Sequence, residues 1–198
     1  MSKINDLKKQ LKSGEVYRRS DLMEWSKAVD RHLALLVADG TLHKLSSGLY
    51  YCPTESVFGS SPPNEEALVR SFLKEDSFLL TSPNDYNSLG VGTTQLYNTR
   101  IVYNHKRHGE FQLGGKVFLF QSKHRFPKKA TPEFLLVDLV NNLHTLAEDP
   151  ELVLSKVVSK METMDLKKLK FAVKEYANVK TKSFFNLHFK QLHSINAA

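Results

Sequence analysis

Lys27 and Arg31 stand four residues apart, about one helical turn, in a stretch where Val29, Leu33, Leu36 and Val37 recur at helical spacing. With Ser26 as the N-cap and the helix running over residues 26–39, that apolar set faces inward and Ser26, Lys27, Asp30, Arg31 and Ala34 face outward. An arginine on such a face donates paired hydrogen bonds to guanine O6 and N7, worth about 1–3 kcal/mol of discrimination, and lysine does so less directionally. Arg31 and Lys27 are therefore the candidate base readers, and the small Ala34 allows close approach to a groove. Arg18 and Arg19 precede this helix, and His43, Lys44, Ser46 and Ser47 follow it at the expected tip of a hairpin. These types suit phosphate, which positions a protein on a duplex without specifying sequence. A charged helix face in isolation is usually just solvated, so the neighbouring elements must decide.

Those neighbours run in a definite order. Ile4, Leu7 and Leu11 mark an amphipathic helix over residues 2–12 with a basic outer face, ended by Gly14. Residues 15–17 suit a short strand, and Ser20 is placed to cap a short helix over 21–25. Gly40 stops the 26–39 helix, and residues 42–45 and 49–52 read as strands joined by a turn containing Gly48. Three short helices followed by a β-hairpin are the parts of a winged helix-turn-helix, so residues 1–55 are expected to form a DNA-binding domain of that kind.

Residues 53–63 are rich in Ser, Pro and Gly and break the pattern, which places the expected boundary there. The second domain, 56–198, divides into a mixed α/β block over 64–128 and a helical region over 131–198. In the block, Asn64 caps a helix over 65–73, a strand covers 78–81, and Ser82-Pro83 opens a further helix. Strands over 100–104 and 116–121 follow, with Gly114-Gly115 between them as a hairpin turn. Helix starts are expected at Thr131-Pro132, Asp149-Pro150, Asp165, and Thr181 or Ser183. The fold class is α+β.

Several motifs carry a family likeness: Arg19-Ser20-Asp21-Leu22, the run from Leu33 to Gly40, Ser47-Gly48-Leu49-Tyr50, and the helix start Thr131-Pro132-Glu133-Phe134. In these the chain resembles the AbiEi-type antitoxins and transcriptional regulators of type IV toxin-antitoxin systems. The resemblance implies an N-terminal DNA-binding domain that represses its own operon and a C-terminal domain that counters a nucleotidyltransferase-type toxin. In those terms Lys27, Arg31 and Lys44 match the recognition helix and the wing. The expected partners are thus operator duplex DNA and such a toxin. The alternative is a protein-interaction module in which the winged helix is scaffold and the C-terminal region binds a partner.

Composition narrows the rest. Lys plus Arg (28) outnumber Asp plus Glu (21), an excess spread along the chain that favours polyanionic partners. Cys52 is the single cysteine, so no intramolecular disulfide or thiolate-rich metal site forms, which fits a reducing cytosol and an expected cytoplasmic location. The opening residues lack an apolar stretch of signal-peptide length, and no membrane span is expected. There is no phosphate loop ending in Gly-Lys-Ser/Thr, no His-Glu-x-x-His and no Gly-x-Ser-x-Gly, and Gly59-Ser60 lacks the spaced carboxylates of a nucleotidyltransferase. No enzymatic activity, cofactor or metal is expected. His105, Lys106, Arg107 and His108, with His124 nearby, lack a cysteine and a fourth ligand for zinc and read first as solvated loop residues; together with Lys123, Arg125, Lys128 and Lys129 they form either a phosphate-contacting surface or a plain basic one.

Overall fold

The computed structural model describes residues 3–57 and 59–195 and is α+β. In chain order, the first elements are α1 (Lys3–Gln10), β1 (Val16–Arg18), α2 (Arg19–Leu22), α3 (Val29–Ala38), β2 (His43–Ser46) and β3 (Leu49–Tyr51). Next come β4 (Glu55–Ser56), β5 (Gly59–Ser60), α4 (Glu65–Leu73), β6 (Phe78–Thr81), a 3-10 segment (Pro83–Leu89), β7 (Arg100–Asn104), β8 (Gly109–Leu113) and β9 (Lys116–Ser122). The chain closes with α5 (Pro132–Asn142), a short 3-10 turn (Leu143–Thr145), α6 (Pro150–Glu162), α7 (Leu166–Tyr176) and α8 (Val179–Ile195).

Two compact units result, and the chain passes between them three times. The first holds the described residues up to Asp76 together with Lys106–Phe118; the second holds Ser77–His105 and the described residues from Leu119. The division by compactness thus falls at Asp76 and at two later crossings rather than at residue 55, because α4 packs on β1 and a later hairpin returns to β2.

In the first unit three strands pair antiparallel in the order β1-β3-β2, with Arg18 opposite Leu49 and Lys44 opposite Tyr50. The helices close one core on Leu7, Leu22, Val29, Leu33, Leu36 and Leu42, all buried. Burying six such side chains stabilises by roughly 1.5–3 kcal/mol each before ordering entropy is subtracted. The short helices differ from expectation. The capping position of α2 is Arg18 and not Ser20, since Asp21 Oδ2 accepts from the Arg18 amide at 3.3 Å. The described part of α1 ends at Gln10, and Ser2 lies outside the described residues. Val37, assigned to the buried face, is exposed.

The second unit is built around α5, whose residues Phe134, Leu135, Leu136, Val137, Asp138 and Leu139 are all buried. α7 and α8 pack on it, adding Leu169, Val173, Phe185 and Phe189 to the core. Thr131 Oγ1, Asp149 Oδ1 and Asp165 Oδ1 cap α5, α6 and α7 by accepting first-turn amides. α8 instead starts at Val179, with Asn178 Oδ1 accepting from the Thr181 amide at 2.8 Å, so neither Thr181 nor Ser183 is its cap. β6 pairs antiparallel with β7, Leu79 opposite Tyr103. Gly114-Gly115 turns β8 into β9, not residues 100–104 into 116–121; β8 escaped the sequence reading because Gly109–Leu113 holds only two large apolar residues.

Candidate nucleic-acid interface

The proposed reading helix starts later than its sequence suggests. α3 begins at Val29, Ser26 is buried, and its hydroxyl meets His32 Nδ1 at 2.8 Å. Ser26 therefore fastens the turn between α2 and α3 from inside and does not face outward. Residues 23–25 and 27–28 form turns, which moves Lys27 from the first helical turn to the loop ahead of it. Lys27 and Arg31 are both exposed, and among the described residues neither has a hydrogen bond or ion pair. Ala34 is exposed one turn on, as expected, and so is Leu35, which no composition or charge signal had singled out.

Asp30 also faces outward but is occupied. Arg19 at the start of α2 grips it bidentately, Nε to Oδ1 at 2.6 Å and Nη2 to Oδ2 at 2.7 Å. This fork holds the Asp30 carboxyl below the usual carboxylate range and the Arg19 guanidinium above its own, the hydrogen bonds being the main cause in both. Arg19 and Asp30 thus clamp α2 to α3, and the clamp cancels a negative charge that would otherwise repel phosphate beside Arg31. Arg18 spends its Nε–H on Asp21 at 3.0 Å, leaving its terminal nitrogens without a partner among the described residues.

The hairpin that follows α3 turns at Ser47-Gly48, where Gly48 takes a φ of 70° that disfavours other residues. Its backbone carbonyl accepts from the Arg19 amide at 2.8 Å, which fixes the turn against the start of α2. On the other side the Leu45 carbonyl accepts from the Gly114 amide at 3.2 Å. Gly114 is at φ 56°, and a Cβ there would sit 3.3 Å from Leu45, so glycine is what lets the β8–β9 turn brace β2. Ser47 is exposed at the turn, while Ser46 is half-buried beside a bulge in β2. His43 and Lys44 are exposed but lie at the open end of the hairpin, opposite Tyr51 and Tyr50; strand polarity corrects their placement at its tip.

The start of α3 and the end of α2 enclose an open concavity lined by Arg19, Met23, Lys27, Asp30 and Arg31. Of the expected residues, the structure brings Arg19, Ser26, Lys27, Asp30 and Arg31 together there, leaving Arg18, His43, Lys44, Ser46 and Ser47 outside it. The basic stretch at 105–108 is divided between units. His105 belongs to the second, stacked on Phe126 at 4.7 Å with Nδ1 against the Lys123 carbonyl at 2.9 Å, whereas Lys106 and Arg107 belong to the first. Among the described residues no group of three or more His, Cys, Asp or Glu is placed to hold a metal ion, and no helix is long and apolar enough to cross a membrane. No protein-family model matches the chain, and no curated protein matches it in sequence.

Proposed function

We propose that the chain is a sequence-specific, duplex-DNA-binding transcriptional regulator that acts at its own operator, with the first unit working as a winged helix-turn-helix. The observation that carries this reading is Arg31: exposed, without a partner among the described residues, at the start of α3, and beside an acidic neighbour already neutralised by Arg19. The element order of the first unit and its β1-β3-β2 sheet agree with that reading, since a winged helix needs its reading helix followed by a hairpin. Arg31 and Lys27 read base edges; Arg18 and Ser47 meet phosphate. The resemblance to AbiEi-type proteins extends the proposal to an autorepressing antitoxin, cytoplasmic and without cofactor or catalysis, whose second unit opposes a nucleotidyltransferase-type toxin. Titrating the protein against its own upstream DNA tests the first part: Arg31→Ala is expected to weaken binding to the preferred site by about 1–3 kcal/mol and relax its sequence preference. Equal affinity of variant and wild type refutes it.

A second reading has an observation of its own. Phe171 on α7 is 59% exposed and borders a concavity with Pro127, Tyr176, Lys167 and Lys168. A large exposed aromatic in a concavity that also carries Lys167, Lys168 and Glu133 suits a protein partner presenting an apolar anchor among charged residues. Under this reading Phe171→Glu abolishes partner capture and leaves DNA affinity unchanged, and loss of neither rejects it.

A further inference from the structure

A second concavity in the first unit, of about 260 Å³, is walled by residues from four separate stretches, among them Arg18, Ser47, Phe72, Lys74 and Arg107. No aspartate or glutamate lines it. Arg19 lines both this concavity and the one at the start of α3. We infer that this concavity is a phosphate-binding subsite which, resting on the DNA reading above, takes a backbone phosphodiester of the duplex beside the segment read by Arg31.

Its parts are held in place before any ligand arrives. The Arg107 guanidinium lies over the Phe72 ring at 4.4 Å, with the Phe111 ring 5.8 Å away. Stacking engages the flat face of a guanidinium, whereas its N–H donors lie in the plane, where a phosphate oxygen is met. Lys106 bonds the Lys74 carbonyl at 3.3 Å and Glu75 at 3.1 Å, which ties the stretch bearing Arg107 to the end of α4. Lys74 closes α4 with φ 56°, a position usually given to glycine, and places a cation at the rim. Arg18 presents terminal nitrogens that Asp21 does not use, and Ser47 and Ser71 supply hydroxyls around the same space, while the Ser20 hydroxyl donates to Asp21 Oδ1 at 3.2 Å. Guanidinium groups, an ammonium and hydroxyls without a carboxylate in the wall form a set that favours a phosphate group over a neutral or cationic ligand.

The test compares the full-length protein with the double variant Lys74→Gln, Arg107→Gln in two arms. In the first, affinity for the upstream duplex and for an unrelated duplex is measured against salt concentration. The subsite predicts that the double variant binds both about tenfold more weakly near 100 mM salt and that its log–log salt slope falls by about 1 to 2, with sequence preference retained. In the second, backbone amide resonances of Gly48 and Lys74 are followed while pyrophosphate is added at constant ionic strength; they are expected to shift in the wild type and not in the variant. Wild-type duplex binding with an unchanged slope in the variant overturns the inference. If the wild type binds no duplex, the operator reading fails separately, and pyrophosphate shifts lost in the variant then sustain a phosphate subsite supplied by a free phosphorylated ligand. Absence of those shifts in that case overturns the subsite as well. Both side chains are exposed, so unchanged thermal melting of the variant is the control for folding.

Discussion

Asp30 in the first unit and Asp138 in the second are both carboxylates gripped by strong donors, yet they are driven in opposite directions. Asp30 is exposed and takes two N–H groups from a guanidinium, and its carboxyl is held low. Asp138 is buried within α5 and accepts from the Tyr86 and Tyr103 hydroxyls, each at 2.7 Å, and from Asn142 at 3.1 Å; burial outweighs those bonds and pushes its carboxyl up. The same burial, reinforced by the charge on Asp138, raises both tyrosines above their ordinary value. Hydrogen bonds to a carboxylate stabilise its charge, but only where water is not withdrawn at greater cost. In the first unit the carboxylate is thus kept at the surface and paired, while the second unit uses a buried one to knit β7, the Pro83–Leu89 segment and α5 together.

The contrast is broken most severely through the cores. Phe185→Ala in the second unit is expected to cost about 3–5 kcal/mol, and Leu36→Ala in the first about 2–5 kcal/mol, because each fully buried side chain leaves a cavity. Denaturant unfolding checks both, and the single tryptophan, Trp25, packed edge-on to Tyr17 at 6.0 Å, reports on the first unit. A loss below 1 kcal/mol at either position would contradict the core assignments.

The next effect is smaller and depends on pH. Because the folded-state pKa of Asp138 is raised, the stability it contributes is fully present below the unfolded value near 4 and is lost as pH rises through the folded value. Asp39 behaves oppositely. Bonds from Thr41 and Lys8 hold it at about 2, so its contribution is present above pH 4 and lost as pH falls toward 2. Melting curves of the wild type should therefore show a gain as pH is lowered from neutral toward 4 that Asp138→Asn lacks. An identical pH profile for that variant would sink the assignment.

On the exposed side the expected changes concern binding. Asp30→Asn frees Arg19 and removes a negative charge from the face that carries Arg31, and it should raise affinity for duplex DNA by a factor of roughly 3 to 10, more at low salt than at high. Its melting temperature should stay close to that of the wild type, since the pair is solvent-exposed. Weaker binding would mean that the clamp orients α3 and does more than cancel charge.

Much of this frame was readable from residue order. The apolar spacing Val29, Leu33, Leu36 found the buried face of α3, and the caps Asn64, Thr131, Asp149 and Asp165 found four helix starts, because side-chain capping and periodic burial are local properties. What local pattern does not record is contact across the chain. Ser26 looks like a cap by type, but its partner is His32, and only the fold of the α2–α3 turn makes it so. Arg19 reads as a phosphate ligand until Asp30, eleven residues on, closes around it. The joining of Lys74 and Arg107 to the Ser47 turn depends on a hairpin that returns from residue 106 onward, a separation no spacing rule spans. Asp138 sits amid an apolar run that marks α5 as buried, but its two tyrosine donors come from other elements.

The central proposal, that α3 presents Arg31 to the edges of DNA bases, is tested most directly by fluorescence anisotropy of the protein's own upstream duplex titrated with wild type and with Arg31→Ala, beside a scrambled duplex of equal length. The proposal predicts that the wild type prefers the upstream sequence and that the variant loses most of that preference while still binding both duplexes at low salt. Wild-type binding that does not distinguish the two sequences, or a variant that discriminates as well as the wild type, would contradict it.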